Sequence, residues 1–350
     1  MKYFLRPLSP LLLLSLLLLS LLLLACKSDP PEPPLPPPPP AEGQVFILNE
    51  GNFLSGNASL DRYDPDTEQL ESGVFAAVNQ QPLGDVLQSV ARLEDRVYLV
   101  VNNSNRLEVM QADSLRSLGS ISGLGSPRYC LPVSAEKAYL SDLFAGAIAI
   151  VDLNQQVVMG QISLPGWTEQ MVLLGEFVFV ANVERPFVYV INSRTDQLVD
   201  SIAVGLGCSQ LQRSAGGNIW VGCGESLLDS VPGRLFEIDP NSRQVQQIFE
   251  FPAGEKPGAM ALNPAKDTLY YLNQGVYALP IASTFLPGEV LIPDNGSLFY
   301  GLGVDPERGD IYVADAVDYV QRGWVLRHHR DGRLLDEFQA GIIPGGFGFW

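Results

Sequence analysis

The chain has 350 residues, 46 % of them hydrophobic and 17 % charged, which is enough apolar mass for one large or two ordinary domains with a sizeable core. Acidic residues outnumber basic ones, 39 against 22, for a net charge of −17. That excess repels nucleic acid and anionic phospholipid and argues against both as partners; a soluble surface, cationic ligands or bound divalent metal remain compatible with it.

In chain order, residues 1–25 begin with Lys2 and Arg6, run through Leu11–Leu24 and stop at Leu23-Leu24-Ala25-Cys26. The apolar run falls short of the ~20 residues a spanning helix needs, and a basic start with a small residue before the break is the pattern of a secretory leader. A cysteine directly after that residue resembles the lipobox of bacterial lipoproteins. The resemblance implies removal of residues 1–25 and lipidation of Cys26, giving a lipid-anchored protein; the alternative is an uncleaved helix with an incidental cysteine. Loss of Lys2 and Arg6 would leave 20 basic against 39 acidic residues, a net −19. Residues 26–43 then form a linker whose prolines, Pro30 to Pro40, cannot join a sheet and favour polyproline II. At ~3.1 Å per residue it makes a stalk.

Residues 44–350 read as seven related units. The clearest, Trp167–Val204, predicts four strands at Thr168–Leu173, Phe177–Asn182, Phe187–Asn192 and Gln197–Val204. Phe177-Val178-Phe179-Val180-Ala181 is apolar at successive positions, so both of its faces need cover. A four-stranded meander with two apolar faces is stable only when stacked between copies of itself, which is a propeller blade. The first unit offers three strands, Val45–Asn49, Ala58–Asp64 and Gln69–Phe75, with no innermost strand before them. The second is Val86–Arg92, Val97–Asn102, Arg106–Ala112 and Ser117–Ile121. The third spans Arg128–Leu164, with Lys137–Asp142 and Ala147–Asp152 in its middle. After the fourth, Cys208–Phe251 carries Asn218–Gly222 and Arg234–Asp239. The sixth holds Ala259–Asn263, Leu269–Asn273 and Val276–Pro280, and the seventh Tyr300–Asp305, Ile311–Asp315, Trp324–His328 and Leu334–Phe338. Gly341–Trp350 reads as one more innermost strand and is expected beside Val45–Asn49, closing the ring. The expectation is an all-β, seven-bladed β-propeller of four-stranded antiparallel blades.

The second strands end in Asn49, Asn102, Asp142, Asn182, Gly222, Asn273 and Asp315. Such side chains hydrogen-bond their own following turn, and some could also ring the channel mouth. The loops on that face are long and mix rings, amides and charges, as a site for a large amphipathic organic ligand requires. The candidate ligand-binding residues are Asn52, Phe53, Asn103, Arg106, Arg128, Tyr129, Phe144, Trp167, Glu169, Arg185, Tyr300 and Tyr319, with Glu225–Val231 among the loops. Cys208 and Cys223 open and close neighbouring strands, so they are either a disulfide or two buried thiols, with Cys130 left to packing. No catalytic residue is assigned. His328 and His329 are adjacent in one strand and point to opposite sides, and no Gly-x-Ser-x-Gly, HExxH or phosphate loop occurs. No cofactor is expected beyond bound Ca2+ as an option. Hydrolysis by a metal held on Asn and Asp at the mouth, in the style of lactonase propellers, is an alternative, although the Glu/Asn/Asp set of those enzymes has no match here.

Leu23-Leu24-Ala25-Cys26, the opening Val45-Phe46-Ile47-Leu48-Asn49-Glu50-Gly51-Asn52-Phe53 with Gly56-Asn57-Ala58-Ser59-Leu60, and repeats such as Phe187-Val188-Tyr189-Val190-Ile191-Asn192 resemble the YncE-like propeller lipoproteins of the Bacteroidetes, including their BtuG-like surface corrinoid-binding group. The resemblance implies an outer-membrane, cell-surface lipoprotein that captures a scarce nutrient such as cobalamin or another corrinoid and passes it to a TonB-dependent receptor. A scaffold binding protein or glycan is the competing non-enzymatic reading.

Overall fold

The computed structural model describes residues 43–224 and 233–350. The expected leader, Cys26 and stalk within residues 1–42, and the loop Glu225–Val231, lie outside the described residues.

The described chain forms seven four-stranded antiparallel sheets arranged as a ring. Blade 1 holds β1 (Val45–Asn49), β2 (Ser59–Asp64) and β3 (Gln69–Glu71), and blade 2 holds β4 (Leu87–Leu93), β5 (Arg96–Val101), β6 (Arg106–Gln111) and β7 (Ser117–Ile121). Blade 3 is β8 (Pro127–Pro132), β9 (Lys137–Asp142), β10 (Ala147–Asp152) and β11 (Val157–Ser163); blade 4 is β12 (Thr168–Leu174), β13 (Phe177–Asn182), β14 (Phe187–Asn192) and β15 (Gln197–Ala203). Blade 5 follows as β16 (Cys208–Arg213), β17 (Ile219–Cys223), β18 (Arg234–Asp239) and β19 (Gln244–Glu250). Blade 6 is β20 (Met260–Leu262), β21 (Thr268–Leu272), β22 (Gly275–Pro280) and β23 (Ile292–Pro293); blade 7 is β24 (Phe299–Val304), β25 (Ile311–Asp315), β26 (Arg322–His328) and β27 (Leu334–Ile342).

The apolar runs have a simple explanation. Alternate side chains of a strand point to opposite faces, and each face of a blade meets a neighbouring blade. In β13, Val178 and Val180 pack toward blade 3 with Tyr139 and Ile148, while Phe179 and Ala181 pack toward blade 5 with Leu211 and Val221. Apolar clusters of this kind fill every gap around the ring, from blades 1 and 2 to blades 7 and 1.

The ring closes through β28 (Pro344–Phe349), which pairs antiparallel with β1 from Val45↔Phe349 to Asn49↔Pro344 and supplies the innermost strand that blade 1 lacks. Gln44 and Trp350 extend the ladder with reciprocal backbone bonds of 3.1 and 3.2 Å.

One expectation needs correction. The outer strand of blade 1 stops at Glu71 instead of Phe75: Gly73 turns left-handed and Val74–Asn79 forms a short helix, α1. The helix buries Val74 and Phe75 against Leu83, Leu115 and Met110, which an extended strand continuing outward could not do. Blade 6 ends in a fourth strand of two residues, Ile292–Pro293, since proline lacks the amide hydrogen a ladder uses.

Candidate functional site

The innermost strands share an irregularity that builds the site. The register between β4 and β5 shifts between Leu87 and Ser89, leaving Gln88 as the extra residue. Corresponding shifts isolate Arg128 and Tyr129 in β8, Glu169 and Gln170 in β12, Ser209 in β16, Tyr300 in β24 and Gly345 in β28. In blade 6, Gly258 and Ala259 share Leu272 as backbone partner, again two residues facing one. A β-bulge bends its strand and re-aims the extra side chain. Here every blade bulges at the same end, and the bulged residues all line one cavity of about 750 Å3 at the centre of the ring.

One pleat deeper on the same strands, Val90, Met260, Leu302 and Phe347 also line it, with Leu48 beside them. The cavity is therefore a bowl with an apolar floor and a polar wall. Three residues of that wall are linked across blades: the Arg128 guanidinium donates to Gln88 Oε1 and, through Nε, to Glu169 Oε1 at 2.6 Å. Trp167 Nε1 donates to the same carboxylate and its ring lies 5.8 Å from the Arg128 Cζ. Glu169 is 1 % exposed and Arg128 16 % exposed at their side chains, so the pair is largely withdrawn from water. Across the bowl the Tyr300 hydroxyl donates to Glu50 Oε1 at 3.0 Å, and the Tyr300 and Tyr319 rings meet edge to face at 5.5 Å. Burial, then the Glu50 carboxylate, pushes the Tyr300 phenol above its ordinary range, so it stays a neutral donor.

Of the candidate residues, the structure brings Arg128, Tyr129, Glu169, Tyr300 and Tyr319 into this bowl, with Trp167 directly behind Glu169. The others stand elsewhere. Asn52 ties its loop to Tyr319 O at 3.1 Å and Asn103 holds Asp85 at 2.5 Å. Arg106 donates to Leu83 O at 2.7 Å. Phe53, Phe144 and Arg185 point into solvent on the outer loops. Sequence reasoning did not single out Gln88, Gln170, Ser209, Gln210 or Lys256 as site residues, and it named Asn273 only among the strand ends that could ring the channel mouth; all line the cavity, as does Glu50. A signal for them exists. Aligned at strand starts, Leu87-Gln88, Pro127-Arg128, Thr168-Glu169, Cys208-Ser209, Phe299-Tyr300 and Pro344-Gly345 each place the bulged residue second.

Of the strand-end residues, Asp142, Asn182 and Asp315 hold their own following turns, while Asn273 lines the cavity. Asp142 accepts from the Phe144 and Ala145 amides and from Ser126 N; Asn182 accepts from Glu184 and Arg185; Asp315 accepts from Val317 and Leu298. Asn102 donates to Pro127 O at 2.8 Å, which fixes the entry of the next blade. Among the described residues no group of three or more His, Cys, Asp and Glu side chains is placed to hold a metal ion. Cys208 and Cys223, opposite each other in β16 and β17, are joined as a disulfide.

The family model described as Domain of unknown function (DUF5074) matches residues 43–336. No curated protein matches the chain. Among solved structures, a quinonprotein alcohol dehydrogenase-like protein from Bacteroides thetaiotaomicron is 13 % identical with a TM-score of 0.64, covering 88 % of this chain and 78 % of its own. The periplasmic gluconolactonase of Pseudomonas aeruginosa is 15 % identical with a TM-score of 0.65, over 87 % of this chain and 99 % of its own. A protein from Lactobacillus plantarum is 15 % identical with a TM-score of 0.66, over 89 % of this chain and all of its own. At these identities the likeness is one of fold.

Proposed function

The chain belongs to the DUF5074 family, and from the bowl its seven blades build we propose that it is a non-enzymatic capture protein for a polar organic nutrient. The observation that carries this reading is the convergence of bulges. The innermost strand of each blade departs from a regular ladder at the level of the bowl, and the product is a ~300–1,000 Å3 type of cavity with apolar floor, aromatic edges and oriented donors. The Arg128–Glu169 and Tyr300–Glu50 contacts occupy the ionisable groups with each other, which suits holding a ligand more than attacking one.

In this proposal the ligand is a corrinoid such as cobalamin, whose macrocycle offers an apolar face for the floor and an amide fringe for the wall; the rim loops with Phe53 and Phe144 would cover what stands out of the bowl. The YncE-like resemblance and the Leu23-Leu24-Ala25-Cys26 sequence support a lipid-anchored position on the outer-membrane surface and delivery to a TonB-dependent receptor. The test is gel filtration of the purified mature chain with cyanocobalamin, monitored at the corrinoid absorbance. Co-elution at micromolar protein is expected. Free elution of the corrinoid would end the corrinoid version, and an absence of any receptor co-purifying from native membranes would end the delivery version.

A lactone hydrolase is the second reading. It is favoured by Glu50, a carboxylate facing the bowl and hydrogen-bonded to a phenol, an arrangement that could activate water. Turnover of gluconolactone that disappears in Glu50→Gln would establish it in place of capture.

A further inference from the structure

The ring of bulged residues is lopsided. Blades 2, 3 and 4 present Gln88, Arg128 and Glu169, three long side chains bonded to one another, and blade 7 presents Tyr300; blades 5 and 6 present only Ser209 and Gly258. Among the described residues, the bulged positions that take least room in the bowl are therefore Ser209 and Gly258 of blades 5 and 6 and Gly345 of blade 1. Beside Gly258 stands Lys256, one of two cations among the described residues that line the cavity. The other, Arg128, is engaged by Glu169 at 2.6 Å. Lys256 is exposed and makes no ion pair or hydrogen bond with any described residue, while the neighbouring Glu255 carboxylate accepts from Asn273 Nδ2 at 2.8 Å.

The backbone at Lys256 is closely held, unlike that of an ordinary surface lysine. A Cβ at Gly224 would stand 2.7 Å from Pro257 O and 2.9 Å from the Lys256 Cβ, and one at Gly233 would stand 2.5 Å from the Lys256 Cα. Two glycines thus close on this residue from either side. They permit a backbone approach that no larger residue would allow and fix where its ammonium starts from. In a protein carrying a net −17, a ligand anion meets a repulsive field everywhere except where a cation is supplied locally.

We propose that the ligand of the bowl carries an anionic oxygen group, a phosphate ester or a carboxylate, that pairs with Lys256 while its body fills the space beside Ser209 and Gly258. The inference rests on the capture reading but not on the corrinoid version of it. The test uses two fluorescent probes of one shape, anionic 8-anilinonaphthalene-1-sulfonate and neutral N-phenyl-1-naphthylamine, titrated into the mature chain and into Lys256→Gln. Lys256→Gln should weaken the sulfonate roughly tenfold, the scale of one charge-assisted contact, and leave the neutral probe unchanged. Ser209→Tyr, which fills that space without changing charge, should weaken both. Equal affinity of the sulfonate for wild type and Lys256→Gln overturns the proposal, as does failure of the sulfonate to bind at all. Displacement of the sulfonate by inorganic phosphate at lower concentration than by acetate assigns a phosphate ester, and the reverse order a carboxylate; displacement by neither overturns the pairing. A protein that passes this test yet leaves cyanocobalamin free has lost only the corrinoid version.

Discussion

The Trp350 ring stacks on the Phe46 ring with centroids 3.9 Å apart and planes 9° from parallel. The last residue of the chain thereby packs on the second residue of β1, next to the cluster between blades 1 and 2. Offset aromatic pairs add to the area they bury, and truncating a large ring in such a setting costs about 2–4 kcal/mol. Trp350→Ala should lower the melting temperature by several degrees. Deleting residues 344–350 should do more, because β1 would become an unpaired edge with Phe46 and Leu48 uncovered, and the product should aggregate. A deletion variant that melts like the full chain would show that closure does not depend on this strand.

That closure was legible in the sequence because blade 1 opens at Val45 with no innermost strand while a spare apolar segment ends the chain. The blades were legible for a related reason: strands covered on both faces must read as unbroken apolar runs, as Phe177–Ala181 does. Helix α1 was hidden because Val74-Phe75 carries the same residue types as a strand, and only its burial against Leu83 and Leu115 decides the matter. The site was half legible. Arg128, Glu169 and Tyr300 stand out by type, but Gln88 and Ser209 look like ordinary outward-facing strand residues until a bulge turns them inward. A bulge changes register without changing composition, so periodicity alone passes over it.

His328 gives a pH dependence with a definite sign. Its Nδ1 lies 2.9 Å from Gly332 O, while its buried Nε2 has no hydrogen-bond partner among the described residues. Burial holds its pKa below the usual histidine range, outweighing the Gly332 carbonyl and the Glu337 carboxylate, which both favour the charged ring. A folded value below the unfolded one means the stability is present above the unfolded value of ~6.5 and is lost as pH falls through the folded value. Denaturant midpoints should therefore fall between pH 7 and 5, by at most ~1.4 kcal/mol per pH unit, and His328→Gln should flatten that limb. The carboxylates held low, such as Asp200 and Asp239, act only at lower pH, whereas Asp61, raised by burial, contributes with the opposite sign. An unchanged slope in His328→Gln would assign the effect to another group.

The cysteines predict a thiol count. The Cys208–Cys223 bridge closes a loop of sequence separation 15, for which the chain-entropy model gives about 3 kcal/mol. Cys130 packs in the cluster between blades 2 and 3, and burial pushes its thiol up to about 12. In a chain starting after Cys26, no thiol should react quickly at pH 8 in the native state. One should react in guanidinium, and three in guanidinium after reduction. Three reactive thiols without reductant would mean that the bridge is not formed in solution.

The Arg128–Glu169 pair separates stability from binding. With Glu169 1 % and Arg128 16 % exposed, removing either partner takes the opposite charge away from a largely buried ion, which costs about 3–5 kcal/mol. Glu169→Ala also takes the acceptor from Trp167 Nε1, so its cost should lie at the upper end. Replacing both partners with apolar residues of similar volume, Arg128→Met with Glu169→Leu, should recover stability to within about 1 kcal/mol of wild type, since two desolvation penalties disappear together. Ligand affinity should not recover, because the oriented guanidinium is gone from the wall of the bowl. Denaturation curves and ligand titrations on the four members of the cycle test this. A double variant that binds as wild type does would show that the pair only braces blades 3 and 4 and takes no part in holding the ligand.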